Sequence, residues 1–468
     1  MVIVQRTLKT ANPRVLIALA CFAFLTGCAK PDSPTAPTTP PNVLVISLDT
    51  MGANHMACYG YSIPNTPFLG QFAQGADLWE NCYSTAPWTL PSHASMFTGL
   101  YPTQHGAHSF KVTREMRNVN PLPMDNTTLA EVVSELGYQT AAFIANKHYL
   151  NGRFNVGQGF DTFHVFRSGD IADADLVNNT VKEWLEPERE QPFFLFINYM
   201  DTHRPYRSQE REGLFDFPVE QNSGQILNRL MPLVLTGKGN EHLDELKQLS
   251  AQYDTSIANL DEKLSELFAH LESKNLLDNT LVIITSDHGE YLGEHDLLEH
   301  SKDVYQEALH VPLIVKRPGQ TAGQRLSAPT TVAMIPTMVF DHLPTEMKSV
   351  AFSKIPRLDI SNGFVAENYY SRSRDLFDRE WGDRLNRVRH AFFADGWKYI
   401  HSSDGKHELY NLSEDPHELT NQFQNESERA NDMRARLEEQ LVDPREANIE
   451  DLPEYSEEDL KILDELGY

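Results

Sequence analysis

The sequence is poor in cysteine, in positive charge and in long apolar runs. Only four cysteines occur in 468 residues, so a disulfide framework cannot hold the fold together. Lys and Arg number 40 against 66 Asp and Glu, and the formal net charge of −26 repels nucleic acid and anionic membrane surfaces. No basic patch offsets this charge. We therefore expect no nucleic-acid partner, and an anionic substrate requires local positive charge from a metal ion or histidines.

The longest apolar run lies near the N-terminus and is too short to span a membrane. It covers residues 15–25, follows a basic head and leads into Leu-Thr-Gly-Cys at residues 25–28. This pattern predicts a secretory signal peptide over residues 1–28, and the last four residues resemble the lipobox of bacterial lipoproteins. We expect cleavage before Cys28, a lipid on Cys28, and an exported protein anchored in the bacterial cell envelope, on the periplasmic side or at the outer membrane. An ordinary signal peptide or an uncleaved anchor is the alternative.

The remaining chain divides by composition. Residues 29–41 hold five prolines and predict an extended linker. We expect a catalytic domain over residues 42–344, followed by a C-terminal subdomain and acidic tail over residues 345–468. Cys58 and Cys82 are expected to be buried thiols, with a disulfide between them as the alternative.

Strand and helix patterns alternate along most of the chain. Apolar runs rich in β-branched and aromatic residues predict buried strands at 43–48, 140–145, 193–199, 280–285 and 311–316. Amphipathic patterns predict helices at 66–76, 127–136, 171–185 and 242–274. The prediction is an α/β fold with a mostly parallel central sheet and helices on both faces. Residues 207–240 show no clear period. Shorter runs beyond residue 345 predict a small antiparallel sheet with a late helix.

Side chains able to bind a metal follow several of the predicted strands. Asp49 follows the first strand, His203 lies just past the strand at 193–199, and Asp287 and His288 end the strand at 280–285. Open α/β sheets bind ligands at the carboxyl ends of their strands. A carboxylate and an imidazole before a glycine predict half of a metal site.

A hydroxyl precedes a predicted helix within Ala86–Gly99. Thr89 lies two residues ahead of Pro91, which is expected in the first helical turn. The unpaired backbone N–H groups and the dipole of a helix start favour an anion. Thr89 is therefore a candidate nucleophile for a phosphate or sulfate ester, and the alternative is that it only begins the helix.

Four segments in a fixed order resemble the sulfatase family of the alkaline phosphatase superfamily. They are Asp49, residues 89–99 (TLPSHASMFTG), residues 201–206 (DTHRPY) and residues 285–295 (TSDHGEYLGEH). The resemblance implies an alkaline phosphatase-like fold and metal-dependent ester hydrolysis. The sequence departs from the family at the nucleophile position, where most sulfatases have a Cys or Ser that is oxidised to formylglycine, and at Thr50, where many have a second carboxylate after the first aspartate. Thr89 cannot be converted by that route, and His93 replaces the arginine that follows the modified residue in the family motif.

Related branches of the superfamily use threonine directly as the nucleophile. They include nucleotide pyrophosphatases, phosphoethanolamine transferases and lipoteichoic acid synthases. By this resemblance, the metal ligands are Asp49, Thr89, Asp287 and His288. Oxygen and imidazole ligands together favour Zn²⁺ or Mn²⁺, with Ca²⁺ as the alternative.

Two further histidines match the phosphate-binding or second-metal positions of those branches. His203 and His300 are expected to donate hydrogen bonds to the ester oxygens, and one of them to protonate the leaving group. His93 and His295 are expected to lie behind the ligands.

The predicted function is hydrolysis of a phosphate mono- or diester through Thr89, with a divalent metal. The expected partners are an anionic ester and, through the N-terminal lipid, the membrane. Three alternatives stay open: sulfate-ester hydrolysis through Thr89 without formylglycine, transfer of a phospho-substituent between envelope lipids or glycans, and binding without catalysis. The lack of a membrane-spanning run disfavours the transferase, and the complete set of metal ligands disfavours the binding protein.

Overall fold

A computed structural model describes most of the chain: residues 40–112, 117–166, 172–206, 211, 213–369, 376, 381 and 383–442. The predicted signal peptide, Cys28, nearly all of the linker and the acidic tail lie outside these residues. Within the described part, no helix is both long enough and apolar enough to cross a membrane.

Nineteen strands are described, and most are short. In chain order they are β1 (Asn42–Leu48), β2 (Asp77–Trp79), β3 (Cys82–Tyr83), β4 (Ser109–Val112), β5 (Arg117–Val119), β6 (Gln139–Ile144), β7 (Thr162–Val165), β8 (Phe193–Tyr199), β9 (Thr280–Thr285), β10 (Tyr291–Leu292), β11 (Leu298–Glu299), β12 (His310–Val311), β13 (Leu313–Lys316), β14 (Arg325–Leu326), β15 (Thr330–Thr331), β16 (Phe364–Asn368), β17 (Arg389–Ala394), β18 (Trp397–Ser402) and β19 (Glu408–Asn411).

The α-helices of the described residues vary from four to 31 residues in length. They are α1 (Pro67–Phe72), α2 (Thr89–Thr98), α3 (Pro102–His105), α4 (Leu129–Glu135), α5 (Ala174–Leu185), α6 (Ser223–Leu235), α7 (Leu243–Ser273), α8 (Gln306–Leu309), α9 (Ile335–Asp341), α10 (Thr345–Lys354) and α11 (Ser427–Gln440).

An eight-stranded sheet forms the centre of the fold, in the order β14-β2-β13-β9-β1-β8-β6-β7. Strands β9, β1, β8, β6 and β7 run parallel, whereas β13 is antiparallel to β9. Side chains of β1 alternate between two apolar layers: Leu44 and Ile46 pack in one, and Val43 and Val45 in the other. Helices α5, α6 and α7 cover the first face, and α2, α4 and α9 cover the second. The predicted α/β fold is confirmed.

Helix α6 corrects the expectation for residues 207–240. Its buried residues include Ile226, Leu227, Leu230 and Val234, which recur at helical spacing. The sequence pattern does not predict this helix, because Pro232 lies inside it and a proline normally ends a helix. The strand expected at 311–316 is also divided, because Pro312 separates β12 from β13.

The C-terminal part forms a four-stranded antiparallel sheet in the order β16-β17-β18-β19, as predicted. The predicted late helix is α11. A fully buried ion pair lies within this C-terminal part: Lys398 Nζ of β18 is 2.7 Å from Glu418 Oε1, beyond β19. Glu418 Oε2 accepts a hydrogen bond from the backbone N–H of Gln306, at the start of α8. Cys58 and Cys82 are free thiols, as expected; Cys82 is buried, whereas Cys58 is only half-buried.

Lys398→Ala is expected to reduce the free energy of unfolding by about 3 kcal/mol or more, because it leaves the Glu418 carboxylate buried without its cation. Urea denaturation measures this loss. The double variant Lys398→Met, Glu418→Gln should recover much of it. Lys406→Ala is the control: its ion pair with Asp404 is exposed and should change stability by less than about 1 kcal/mol. Equal effects of Lys398→Ala and Lys406→Ala would contradict this role.

Candidate active site

The carboxyl ends of β1 and β9 meet the start of α2. Asp49 follows β1, Asp287 and His288 follow β9 after Ser286, and Thr89 is the first residue of α2. All four side chains are fully buried. The ligand atoms of Asp49, Asp287 and His288 lie within 4.8 Å of one another. The fold thus brings the four predicted ligands to one edge of the sheet.

Thr89 lies in the first turn of α2, where the backbone N–H groups have no side-chain cap. Its Oγ1 is 3.5 Å from His288 Nε2 and 3.4 Å from Asn146 Nδ2. Pro91 is the third residue of the helix, a place where a missing N–H removes no helical hydrogen bond. The hydroxyl therefore faces both the imidazole and the positive end of the helix dipole.

The carboxyl groups of Asp49 and Asp287 are both buried in the site, and burial opposes their ionisation. Burial, with the nearby Asp287, raises the pKa of Asp49 to about 8, and burial raises the pKa of Asp287 to about 7. Asp49 Oδ1 has no hydrogen-bond partner among the described residues. His288 Nδ1 faces the Gly289 carbonyl at 2.9 Å, so a neutral His288 presents its Nε2 lone pair to the site. These groups fit a divalent cation.

The raised pKa values predict how stability changes with pH. We call the protein chelated when a chelator has removed its metal. Between pH 4, near the carboxyl pKa in the unfolded chain, and the folded pKa values of about 7 for Asp287 and about 8 for Asp49, the folded chelated protein holds more protons than the unfolded chain. Its stability should therefore fall as pH rises from about 5 to 8.5. A bound divalent cation replaces those protons, so the melting temperature gained on adding Zn²⁺ or Mn²⁺ should grow over that range. If thermal melts show the same rise in melting temperature on adding metal at every pH, the cation does not replace the protons of these two carboxyl groups.

His203 and His300 also reach the site. The His300 ring centroid is 4.5 Å from that of His288 and 5.2 Å from that of His203. His203 Nδ1 lies 2.8 Å from the Arg204 carbonyl, and His300 Nδ1 lies 2.9 Å from Glu290 Oε1. Burial lowers the pKa of His203 to about 3. A neutral His203 therefore presents a lone pair at Nε2, which suits proton acceptance or cation binding better than the predicted hydrogen-bond donation.

The segment that carries His300 has an unusual backbone. His295, Asp296, Glu299 and Ser301 all have left-handed φ values, between 53° and 66°. Such conformations cost free energy in residues other than glycine and cluster at functional sites. The Ser301 N–H donates to the Pro87 carbonyl at 2.9 Å, which attaches this segment to the approach to Thr89.

The two histidines expected behind the ligands differ in position. His93 lies there: its Nδ1 is 2.9 Å from the Thr89 carbonyl and 3.6 Å from Asp287 Oδ2, and its Nε2 is 2.8 Å from Ser47 Oγ. Burial lowers the pKa of His93 to about 3, so the ring is neutral and both nitrogens are engaged by the protein.

His295 lies in a separate charged cluster, and none of its described contacts is with Thr89. Its ring stacks on Tyr305 with centroids 3.9 Å apart, and its Nε2 is 3.3 Å from Glu307 Oε2. Stacking and the attraction of that buried carboxylate account for the difference from the expectation. His295, Glu307 and Glu418 could together surround an ion, but Lys398 already balances the charge of Glu418.

Asn146 follows β6 at the same edge of the sheet and was not predicted as a site residue. Its Nδ2 donates to Asp49 Oδ2 at 2.9 Å and lies 3.4 Å from Thr89 Oγ1. Its place at the carboxyl end of a parallel strand was the feature that could have identified it.

Comparison with known proteins identifies the family of the chain that carries this site. The Sulfatase family model matches residues 41–345, which contain Asp49, Thr89, Asp287 and His288. The chain belongs to the sulfatase family. It is thus an ester-hydrolysing enzyme of a family that generally uses a divalent metal.

Individual sulfatase relatives are distant in sequence. Arylsulfatase K of Gallus gallus is 25% identical over 462 residues, covering 88% of this chain and 84% of the relative. The phosphonate monoester hydrolase of Agrobacterium radiobacter has a similar fold, with a TM-score of 0.64, 20% identity, and coverage of 86% of this chain and 96% of that one. A 2-O GAG sulfatase gives a TM-score of 0.62 at 18% identity, covering 86% and 91%.

Proposed function

We propose that this member of the sulfatase family hydrolyses a phosphate mono- or diester with Thr89 as the nucleophile. The observation that supports this most directly is the Thr89 hydroxyl at the start of α2, 3.5 Å from His288 Nε2 and beside two buried carboxylates. A threonine hydroxyl needs no oxidation to attack phosphorus, and a phosphothreonine can be hydrolysed by water.

The reaction proceeds in two displacements. Nε2 of His203 or His300 accepts the proton of the Thr89 hydroxyl, the bond from Oγ1 to phosphorus forms, and the bond from phosphorus to the leaving oxygen breaks. The protonated histidine gives that proton to the leaving oxygen, so the alcohol departs neutral and the imidazole is neutral again. Water then attacks the phosphothreonine, releases the phosphate and restores the hydroxyl, with His300 or His203 accepting the proton of the water at Nε2.

Asp49, Asp287, His288 and Thr89 would hold the metal. A divalent cation there supplies Lewis-acid chemistry, which lowers the pKa of a bound hydroxyl and offsets the charge of the ester. The ligand set favours Zn²⁺ or Mn²⁺ over Ca²⁺. The backbone N–H groups at the start of α2 are placed to receive the ester oxygens.

Hydrolysis of a sulfate ester through Thr89 is the second candidate, because the relative from Gallus gallus reported above is an arylsulfatase. A panel of nitrophenyl phosphate, bis-nitrophenyl phosphate and nitrophenyl sulfate, with Zn²⁺, Mn²⁺ or Ca²⁺ added to the chelated protein, separates the two. We expect phosphate-ester turnover that depends on Zn²⁺ or Mn²⁺. Sulfate turnover far above phosphate turnover would overturn the proposed chemistry.

We also propose that the enzyme acts in the bacterial cell envelope, attached through a lipid on Cys28. The basic head, the short apolar run and Leu-Thr-Gly-Cys support this location. Cys28→Ser should release the protein from the membrane fraction. Wild-type protein that is recovered in the soluble fraction and carries no lipid would contradict this location.

A further inference from the structure

The side chain of Asn146 is fixed in one orientation. Its Oδ1 accepts hydrogen bonds from the backbone N–H groups of His148 at 3.2 Å and Tyr149 at 3.1 Å. Its own backbone N–H donates to Asn198 Oδ1 at 2.8 Å. Because only an oxygen can accept from two N–H groups, the amide nitrogen must face the other way. Its two hydrogens therefore point toward Asp49 and Thr89.

The site needs a side-chain hydrogen-bond donor that its histidines do not readily provide. The Nδ1 atoms of His288 and His203 each face a backbone carbonyl, which can only accept. In their neutral forms these rings present lone pairs at Nε2. His93 has both nitrogens engaged by Ser47 and by the Thr89 carbonyl. The amide of Asn146 is a permanent donor, fully buried, next to the reacting hydroxyl.

We propose that Asn146 is a catalytic residue, whose second amide N–H, the one not bonded to Asp49, stabilises the negative charge that develops on Thr89 Oγ1. This inference rests on the proposed function of Thr89. The distance of 3.4 Å from Nδ2 to Oγ1 is long for a hydrogen bond, and it would shorten as charge builds in the transition state. The second bond, to Asp49 Oδ2, holds the amide nitrogen at that position.

Asn146→Asp tests the role with little change of shape. The variant keeps an oxygen for the His148 and Tyr149 N–H groups and removes the donor. We expect kcat to fall by about 10²–10³-fold, the loss typical of one oxyanion donor. Asn146→Ala, which adds no charge beside Asp49, should show a loss of similar size. Asn279→Asp is the control: the same substitution at an exposed residue with no described contact to Thr89 or Asp49 should leave kcat within about twofold.

Two readouts separate catalysis from a structural role. Metal content and affinity, measured by calorimetry with Zn²⁺ or Mn²⁺, should be close to wild type in Asn146→Ala. Orthovanadate, which adopts the geometry of the transition state, should lose at least tenfold more affinity than inorganic phosphate.

Two results would overturn the inference. One is a kcat within about threefold of wild type in metal-loaded Asn146→Ala while Thr89→Ala is inactive. The other is an equal loss of vanadate and phosphate affinity. Full activity of Thr89→Ala is a different failure, because it would remove the proposed nucleophile itself.

Discussion

Thr89→Ala is expected to lower kcat/KM for phosphate esters by roughly 10⁴-fold or more, because it removes the atom that forms the covalent bond. The substitution deletes a hydroxyl and a methyl group without adding charge or bulk, and α2 can begin without them. The metal and the neighbouring imidazoles remain, so a small residual rate is expected. Steady-state kinetics with bis-nitrophenyl phosphate measure the loss.

Matched variants separate nucleophile removal from damage to the helix. Thr98→Ala makes the same change at the other end of α2, where the hydroxyl donates to the Ala94 carbonyl and accepts from the Leu100 N–H, and should keep nearly full activity. Thr89→Ser keeps a hydroxyl and should retain measurable turnover. If Thr89→Ala and Thr98→Ala are equally active, Thr89 is not the nucleophile.

Asp287→Asn should abolish metal-dependent turnover and weaken Zn²⁺ or Mn²⁺ binding by more than about 100-fold. The amide oxygen can still accept from the backbone N–H groups of Thr50 and His288, as Asp287 Oδ1 does at 3.2 and 2.9 Å. The raised pKa of the buried carboxyl means that its ionised form destabilises the metal-free fold. The chelated variant should therefore melt at or above the temperature of the chelated wild type at pH 8.

The expected combination is loss of function without loss of stability. Asp296→Asn serves as the control, because Asp296 is exposed and its left-handed backbone suits asparagine equally well. Calorimetric titration of the metal and thermal melts of the chelated proteins report both properties. A chelated Asp287→Asn that melts far below wild type, or one that binds metal normally, would contradict the assignment of Asp287 as a ligand.

The sequence was sufficient to predict the central strands and the side chains directly after them. Runs such as Phe193–Tyr199 are apolar on both faces, and only a sheet covered by helices on both sides can bury them. Parallel strands then bring Asp49, Asp287 and His288 to one edge. Positions that depend on strand ends could therefore be predicted before any coordinates were available.

Features set by long-range packing could not be predicted in the same way. His295 follows the Asp-His pair closely in sequence, yet its neighbours are Glu307 of α8 and Glu418, which lies beyond the C-terminal sheet. The proton positions of His203 and His300 depend on the carbonyl of Arg204 and on Glu290. Asn146 is identified as a site residue by the position of its amide nitrogen between Asp49 and Thr89, which the sequence does not predict.

The central claim is a covalent bond between Thr89 and the phosphorus of the ester. Mass spectrometry of the peptide containing Thr89, after acid quenching during the first turnovers of metal-loaded enzyme with bis-nitrophenyl phosphate, tests it directly. The account predicts a nitrophenyl phosphoryl group on Thr89 that appears and decays at catalytically competent rates and is absent from Thr89→Ala. The same group on another residue, or turnover with an unmodified Thr89 at every quench time, would contradict it.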